Sequence, residues 1–106
     1  MDAFQADQLE RERAASGRLY LEFLRRESMS LGLYTLEAGA ADPQTPHAED
    51  EAYVVLSGHG QIMVAGESRA VGPGSVVFVE QGVEHRFHSI TERLEIVVVF
   101  APAESG

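Results

Sequence analysis

The feature that most constrains this chain is its punctuation: from Arg18 onward, short apolar and aromatic runs recur between glycine-bearing turns. RLYLEFL (18–24) alternates Leu19, Leu21 and Phe23 against Arg18, Tyr20 and Glu22, the period of two of a half-buried strand. MSLGLYTL (29–36) continues in the same style, with Arg25–Ser28 as the turn between them. GAADPQTP (39–46), with a glycine and two prolines, reads as a loop. AYVVLS (52–57), QIMVA (61–65), SVVFV (75–79), HRFHSI (85–90) and LEIVVVF (94–100) are five further strand candidates. The turns between them fall at Gly58–Gly60, Gly66–Glu67, Gly72–Gly74 and Gln81–Gly82. Seven or eight short strands without an internal helix predict an all-β sandwich or barrel.

Before the first strand the texture differs. Asp7 to Ala15 holds good helix formers and Gly17 is placed to stop them, so residues 1–17 are expected to form a helix or arm. Its apolar stripe is thin, Phe4 and Leu9, and promises little to a core. Residues 18–106 are expected to form one barrel domain, in keeping with a chain of 106 residues.

Composition removes several chemistries. There is no cysteine, hence no disulfide, thiolate nucleophile or Cys-type zinc site. All eight basic residues are arginine, which excludes Schiff-base chemistry. The glycines fall singly at turns, without a phosphate-binding loop or dinucleotide fingerprint. A formal net charge of −9 repels nucleic acid and anionic membrane, so neither is an expected partner. No apolar run approaches the ~20 residues that cross a bilayer. The opening MDAFQADQLERER lacks the apolar stretch of a secretory signal, and a cytoplasmic location is the expectation. The last strand candidate is apolar on both faces, Leu94, Ile96, Val98 and Phe100 on one and Val97 and Val99 on the other. A strand covered twice is buried twice, and a second copy of the chain is the expected cover, giving a homodimer.

The chemistry-bearing residues are the histidines. His47 and Glu51 lie four apart at the end of the long loop, and His85 opens a later strand. Two imidazoles and a carboxylate suit iron, zinc, nickel or manganese, and form the ligand set of many non-haem iron centres. Along a straight strand His47 and Glu51 would stand ~13 Å apart, at ~3.3 Å per residue. Both reach one ion only if the chain bends through Ala48–Asp50. A rival local reading starts a helix here, with Thr45 as N-cap and Pro46 at N1. The β-favouring YVVL that follows opposes it. His47 and Glu51 also admit the plain reading of a solvated ion pair. His59 is expected at an exposed hairpin tip, and His88 on the face opposite His85, with Phe87 and Ser89 on the His85 face unless a bulge reverses the count. Glu49 and Asp50 read as a solvated acidic turn, with Glu49 a conceivable substitute ligand. Arg86 reads as a surface ion pair or a partner for an anionic substrate.

At these residues the sequence resembles the cupin superfamily. Gly39, five residues, Thr45, one, His47, three, Glu51, six, Gly58 is similar to the first cupin motif, G-x5-H-x-H-x3-E-x6-G. Gly74, five residues, Glu80, Gln81, Gly82, two, His85, three, Ser89 is similar to the second, G-x5-P-x-G-x2-H-x3-N. The resemblance implies a small single-domain jelly-roll barrel holding one divalent ion. Carried over, the metal ligands are His47, Glu51 and His85, three rather than four. Thr45 stands where a histidine belongs, Glu80 replaces a proline and Ser89 an asparagine. A weak Thr45 oxygen, Gln44 or water is left to fill the fourth place. The expectations are therefore a metal-dependent, dioxygenase-like or isomerase/lyase enzyme on a small molecule, with Glu51 and Tyr53 as catalytic candidates, or a non-catalytic ligand-binding or sensing module. Tyr53 and Phe87 are expected above the substrate.

Overall fold

The computed structural model describes residues 1–105; position 106, the last of the expected barrel range, lies outside the described residues. Its elements run α1 (Ala6–Ser16), β1 (Tyr20–Arg25), β2 (Ser30–Leu36), β3 (Asp50–Val64), β4 (Glu67–Val71), β5 (Val76–Val79) and β6 (His85–Ala101). All pairings are antiparallel, in the order β1-β2-β6-β3-β4, with β5 also paired to β3. The expected all-β class and jelly-roll architecture are what the chain adopts.

The strand count differs from expectation for a physical reason. Segments 52–57 and 61–65 are halves of one strand, β3, and 85–90 and 94–100 are halves of β6. What looked like a turn at Gly58–Gly60 is a bulge. Register between β3 and β6 shifts three times between Val55 and Gln61. Gly58 sits at φ +91, and a Cβ there would lie 2.0 Å from the Arg93 carbonyl oxygen. Only glycine lets β3 continue bent across β6 at that spot. In β6 the matching irregularity is Ser89 at φ +51. Each bulge reverses the inward parity: buried positions are 51, 53 and 55 and then 58 and 62 in β3, and 85 and 87 and then 90, 94, 96, 98 and 100 in β6. Ser89 is thus exposed, and does not share the cavity face with His85 and Phe87. The β4 strand, Glu67–Val71, lies between the expected turns at Gly66–Glu67 and Gly72–Gly74, where no strand was expected; four of its five residues are exposed, so it carries little apolar signal.

The long β3–β6 ladder joins two sheet halves around one core, which includes Leu36, Tyr53, Val55, Ile62, Phe87, Leu94, Ile96 and Phe100. Burying each such side chain contributes ~1.5–3 kcal/mol. Helix α1 packs outside that core. Leu9 and Arg13 are its buried residues, and polar contacts dock it: Arg13 donates to both Glu10 carboxylate oxygens (2.7 and 2.8 Å) and to the Arg18 carbonyl (2.7 Å), and the Thr35 hydroxyl donates to Glu10 (2.7 Å). No helix among the described residues is long and apolar enough to cross a membrane.

Candidate metal centre

His47 precedes β3, Glu51 is its second residue and His85 is the first residue of β6. The bend that His47 and Glu51 require is present at Ala48–Glu49, and no helix forms there. It is fixed from the β5–β6 turn: the Gly82 N–H donates to the His47 carbonyl (2.7 Å) and the Gln81 N–H to the Asp50 carboxylate (2.9 Å). One donor atom from each of His47, Glu51 and His85 then lies within 4.8 Å of the others.

The donors of this cluster are prepared rather than satisfied. The His85 and Glu51 side chains are each 1% exposed, with Nε2 and Oε1 3.0 Å apart. That pair is misaligned for a hydrogen bond, and both Glu51 oxygens and His85 Nε2 are buried without a partner among the described residues. Such orphaned groups are costly unless something binds them. The other side of each ring is engaged. His85 Nδ1–H donates to the Val83 carbonyl (2.8 Å), which leaves Nε2 with its lone pair toward the cluster. His47 Nδ1 faces the Glu104 carboxylate at 3.3 Å, the carboxylate–histidine arrangement that orients metal-bound imidazoles. The buried, unpartnered His85 nitrogen and Glu51 carboxylate converge with the half-buried His47, and this donor set fits a divalent ion.

A polar chain supports the cluster. Gln44 Oε1 lies 3.3 Å from His47 Nε2 and accepts from the Tyr53 hydroxyl (2.9 Å), while Gln44 Nε2 donates to Asp42 (2.7 Å). Asp42 also accepts from the Tyr34 hydroxyl (2.6 Å) and the Phe87 N–H (2.9 Å). Thr45 is exposed, so of the two residues considered for the missing imidazole it is Gln44 that reaches the centre. Burial drives the Tyr53 phenol far up, with the Glu51 charge adding to the shift. Tyr53 therefore stays protonated and holds Gln44.

A cavity of about 150 Å³ opens beside His47 and Glu51, walled by these two with Tyr20, Tyr34, Gln44, Val98, Phe100 and Glu104. Tyr53 and Phe87, expected over the substrate, instead pack against each other in the core (ring centroids 4.9 Å apart). Glu49 is a correction too. It is buried, not solvated, and its carboxylate accepts from the Ser105 hydroxyl (2.6 Å) and N–H (3.3 Å). With Ser30 Oγ accepting from the Glu104 N–H (3.0 Å) and Arg25 donating to the Glu104 carbonyl (2.8 Å), this straps Glu104 across the cavity. Burial raises the Glu104 pKa, His47 opposes, and Glu49 and Glu51 reinforce the rise. The remaining histidines stand apart: His59 is exposed on β3 rather than at a hairpin tip and pairs with Glu92 (3.0 Å), and His88 bonds Ser68 (2.9 Å). Arg86 is exposed on β6.

The His85 pKa yields a prediction for the metal-free protein. Burial lowers it, but the Glu51 carboxylate and the Val83 carbonyl outweigh burial and the net shift is upward. A raised histidine contributes stability that is complete below its unfolded value of about 6.5 and lost as pH rises through the folded value. Chelator-treated protein is therefore expected to melt at progressively lower temperature as pH rises above about 6.5, and His85→Gln to flatten that slope. Thermal melts across neutral pH check both; a slope unchanged in the variant assigns the effect elsewhere.

The comparisons with known proteins agree with this architecture. The cupin domain family matches residues 32–100, and the chain belongs to that family. An uncharacterized protein of Streptomyces coelicolor is 54% identical over 105 residues, covering 99% of this chain and 100% of that one. Among solved structures, an uncharacterized conserved protein with a double-stranded β-helix domain from Klebsiella pneumoniae superposes with a TM-score of 0.82 at 19% identity, covering 100% of this chain and 94% of that one. The DMSP lyase DddQ from Ruegeria pomeroyi gives a TM-score of 0.67 at 25% identity over 72% of this chain and 39% of that one.

Proposed function

We propose that this cupin holds one divalent metal ion on His47, Glu51 and His85 and acts on, or binds, a small molecule in the adjoining cavity. The observation that carries the reading is the set of three buried donor atoms, Glu51 Oε1 and Oε2 and His85 Nε2, left without hydrogen-bond partners beside His47. A divalent ion there would supply Lewis-acid polarisation or, as iron, oxygen activation. Three protein ligands leave coordination positions open, as catalytic centres do and closed structural sites do not. The chain's own residues hold the two imidazoles in orientation, keep the donors dry, and wall a space for one small ligand. Glu51 is the group in contact with both ion and ligand space, and is the acid–base candidate; Tyr53 acts through Gln44. The lyase named among the structural neighbours supports an enzyme on this fold without naming a substrate. The competing reading is a binding or sensing module, which would bind its ligand with the metal removed.

Elemental analysis of untagged protein tests this. Close to one equivalent of iron, zinc, manganese or nickel per chain is expected. Protein that stays metal-free after incubation with each of the four ions would overturn the proposal.

We also infer a homodimer through the outer sheet face, in a cytoplasmic setting. Strand register sets Leu31, Val99, Ala52 and Phe78 in one row across β2, β6, β3 and β5, and Leu33, Val97, Val54 and Val76 in the next. Leu33 is buried within the chain, but the other seven apolar side chains reach the surface of a chain of net −9 without a charge among them, and Val76 and Phe78 are 69% and 63% exposed. An apolar stripe of this kind is the signature of an association surface. Light scattering is expected to give twice the chain mass at micromolar concentration, and Phe78→Asp to give the monomer. A monomeric parent protein removes the inference.

A further inference from the structure

We propose that Tyr20 and Glu104 select the ligand: the cavity admits a small uncharged molecule bearing a carbonyl or hydroxyl oxygen and disfavours organic anions. This rests on the reading of His47, Glu51 and His85 as a metal centre. Size comes first. About 150 Å³ corresponds to about five waters at ~30 Å³ each, so the part of a ligand that the cavity encloses has only a few heavy atoms.

Charge comes next. A divalent ion brings two positive charges, and Glu51 and Glu104 supply two negative ones at the cavity wall. The wall holds no lysine or arginine. Arg25, which reaches the strap, is already committed to the Glu22 carboxylate (2.9 Å) and the Glu104 carbonyl (2.8 Å). An anionic ligand would therefore add an unmatched charge beside the partly exposed Glu104 carboxylate, and like charges repel.

The polar handle is Tyr20. Tyr34 and Tyr53 have hydroxyl partners in Asp42 and Gln44, but the Tyr20 hydroxyl is buried and has none among the described residues. Its ring lies against Gly32, where a Cβ would stand 2.1 Å from Tyr20 Cζ and Oη. Edge-to-face contacts with Tyr34 (6.2 Å) and Phe100 (6.3 Å) hold it there. A fixed, unpartnered donor in a mostly apolar wall is an address for one acceptor oxygen.

Lactamide and lactate, equal in heavy atoms and differing in charge, are the probes. Calorimetric titrations use zinc-saturated protein at pH 8, with zinc content measured on every sample. In the parent, lactamide is expected to bind at least as tightly as lactate. Glu104→Gln is expected to raise the affinity for lactate relative to lactamide about tenfold, whatever it costs both probes through His47, tenfold being ~1.4 kcal/mol. Tyr20→Phe, which keeps the ring, is expected to weaken lactamide about fivefold. Lactate binding the parent more tightly than lactamide, no gain for lactate relative to lactamide in Glu104→Gln, or no heat from either probe at millimolar concentration, each at full metal content, overturns this inference and leaves the metal centre standing. Should zinc not bind, the same titrations use whichever of iron, manganese or nickel does; uptake of none of the four overturns the metal reading and this inference with it.

Discussion

Replacing His85 with alanine is expected to lower metal affinity at least about 100-fold, ~2.8 kcal/mol at 1.4 kcal/mol per decade. The argument runs from coordination to burial. With three protein donors, removal of one leaves two, and altering even an outer partner of a ligand costs 10–100-fold as a general magnitude. His85 Nε2 is buried beside Glu51, so the loss falls on the most desolvated part of the centre. Alanine has a second consequence. It leaves the Glu51 carboxylate buried with no neighbouring imidazole at 3.0 Å, and stranding one member of a buried pair costs ~3–5 kcal/mol. The metal-free alanine variant should accordingly melt well below the parent at neutral pH. His85→Gln separates the two effects, because its amide can donate to Glu51 while being a poor ligand. It should lose metal like the alanine variant and keep more of the stability. Metal content by elemental analysis and melts in chelator decide the matter. Stoichiometric metal in both variants at parental affinity would place the ion elsewhere in the protein.

The contrast between what could and could not be read beforehand follows from how far along the chain each interaction reaches. Local periodicity exposed the strands, because alternation and glycine punctuation are properties of a few adjacent residues. The spacing of His47, Glu51 and His85 pointed to three side chains that the fold does gather within 4.8 Å. Bulges are a different matter. A glycine that turns a hairpin and a glycine that bends a continuous strand look alike in sequence, and only the close approach of the Arg93 carbonyl separates them. Parity errors follow at once, as with Ser89, since one extra residue moves every later side chain to the other face. The cavity wall was out of reach for another reason. Tyr20, Phe100 and Glu104 come from opposite ends of the chain and meet only because β1 and β6 flank β2. Glu49 looked solvated because it sits among acids at a bend, yet Ser105, distant in sequence, removes it from water. The one signal that was available, Gly32 inside an otherwise apolar strand, marks where the Tyr20 ring lies.

Gly58→Ala is expected to be the most damaging single-methyl change in the barrel. Two costs add at this position. The backbone at φ +91 is one that an L side chain rarely adopts, a strain of about 1–3 kcal/mol. The new Cβ would also lie 2.0 Å from the Arg93 carbonyl oxygen and 2.8 Å from the Leu94 Cα. These are backbone atoms of β6, so no rotamer change relieves the clash. Relief requires β3 and β6 to separate at their crossing, where the ladder register shifts and the core faces of both strands change parity. A loss of at least about 3 kcal/mol, which is large for one methyl, follows from strain and overpacking together. For a domain of this size that is a fall in melting temperature of about 12 °C or more. Gly74→Ala gives the control: its φ is +87 but nothing lies within 4 Å of the added Cβ, so it carries the strain without the clash. Melting the two variants side by side separates the terms. A Gly58 variant no less stable than the Gly74 variant would mean that the crossing yields easily. In that case the bend in β3 would owe its position to the neighbouring strands rather than to the glycine.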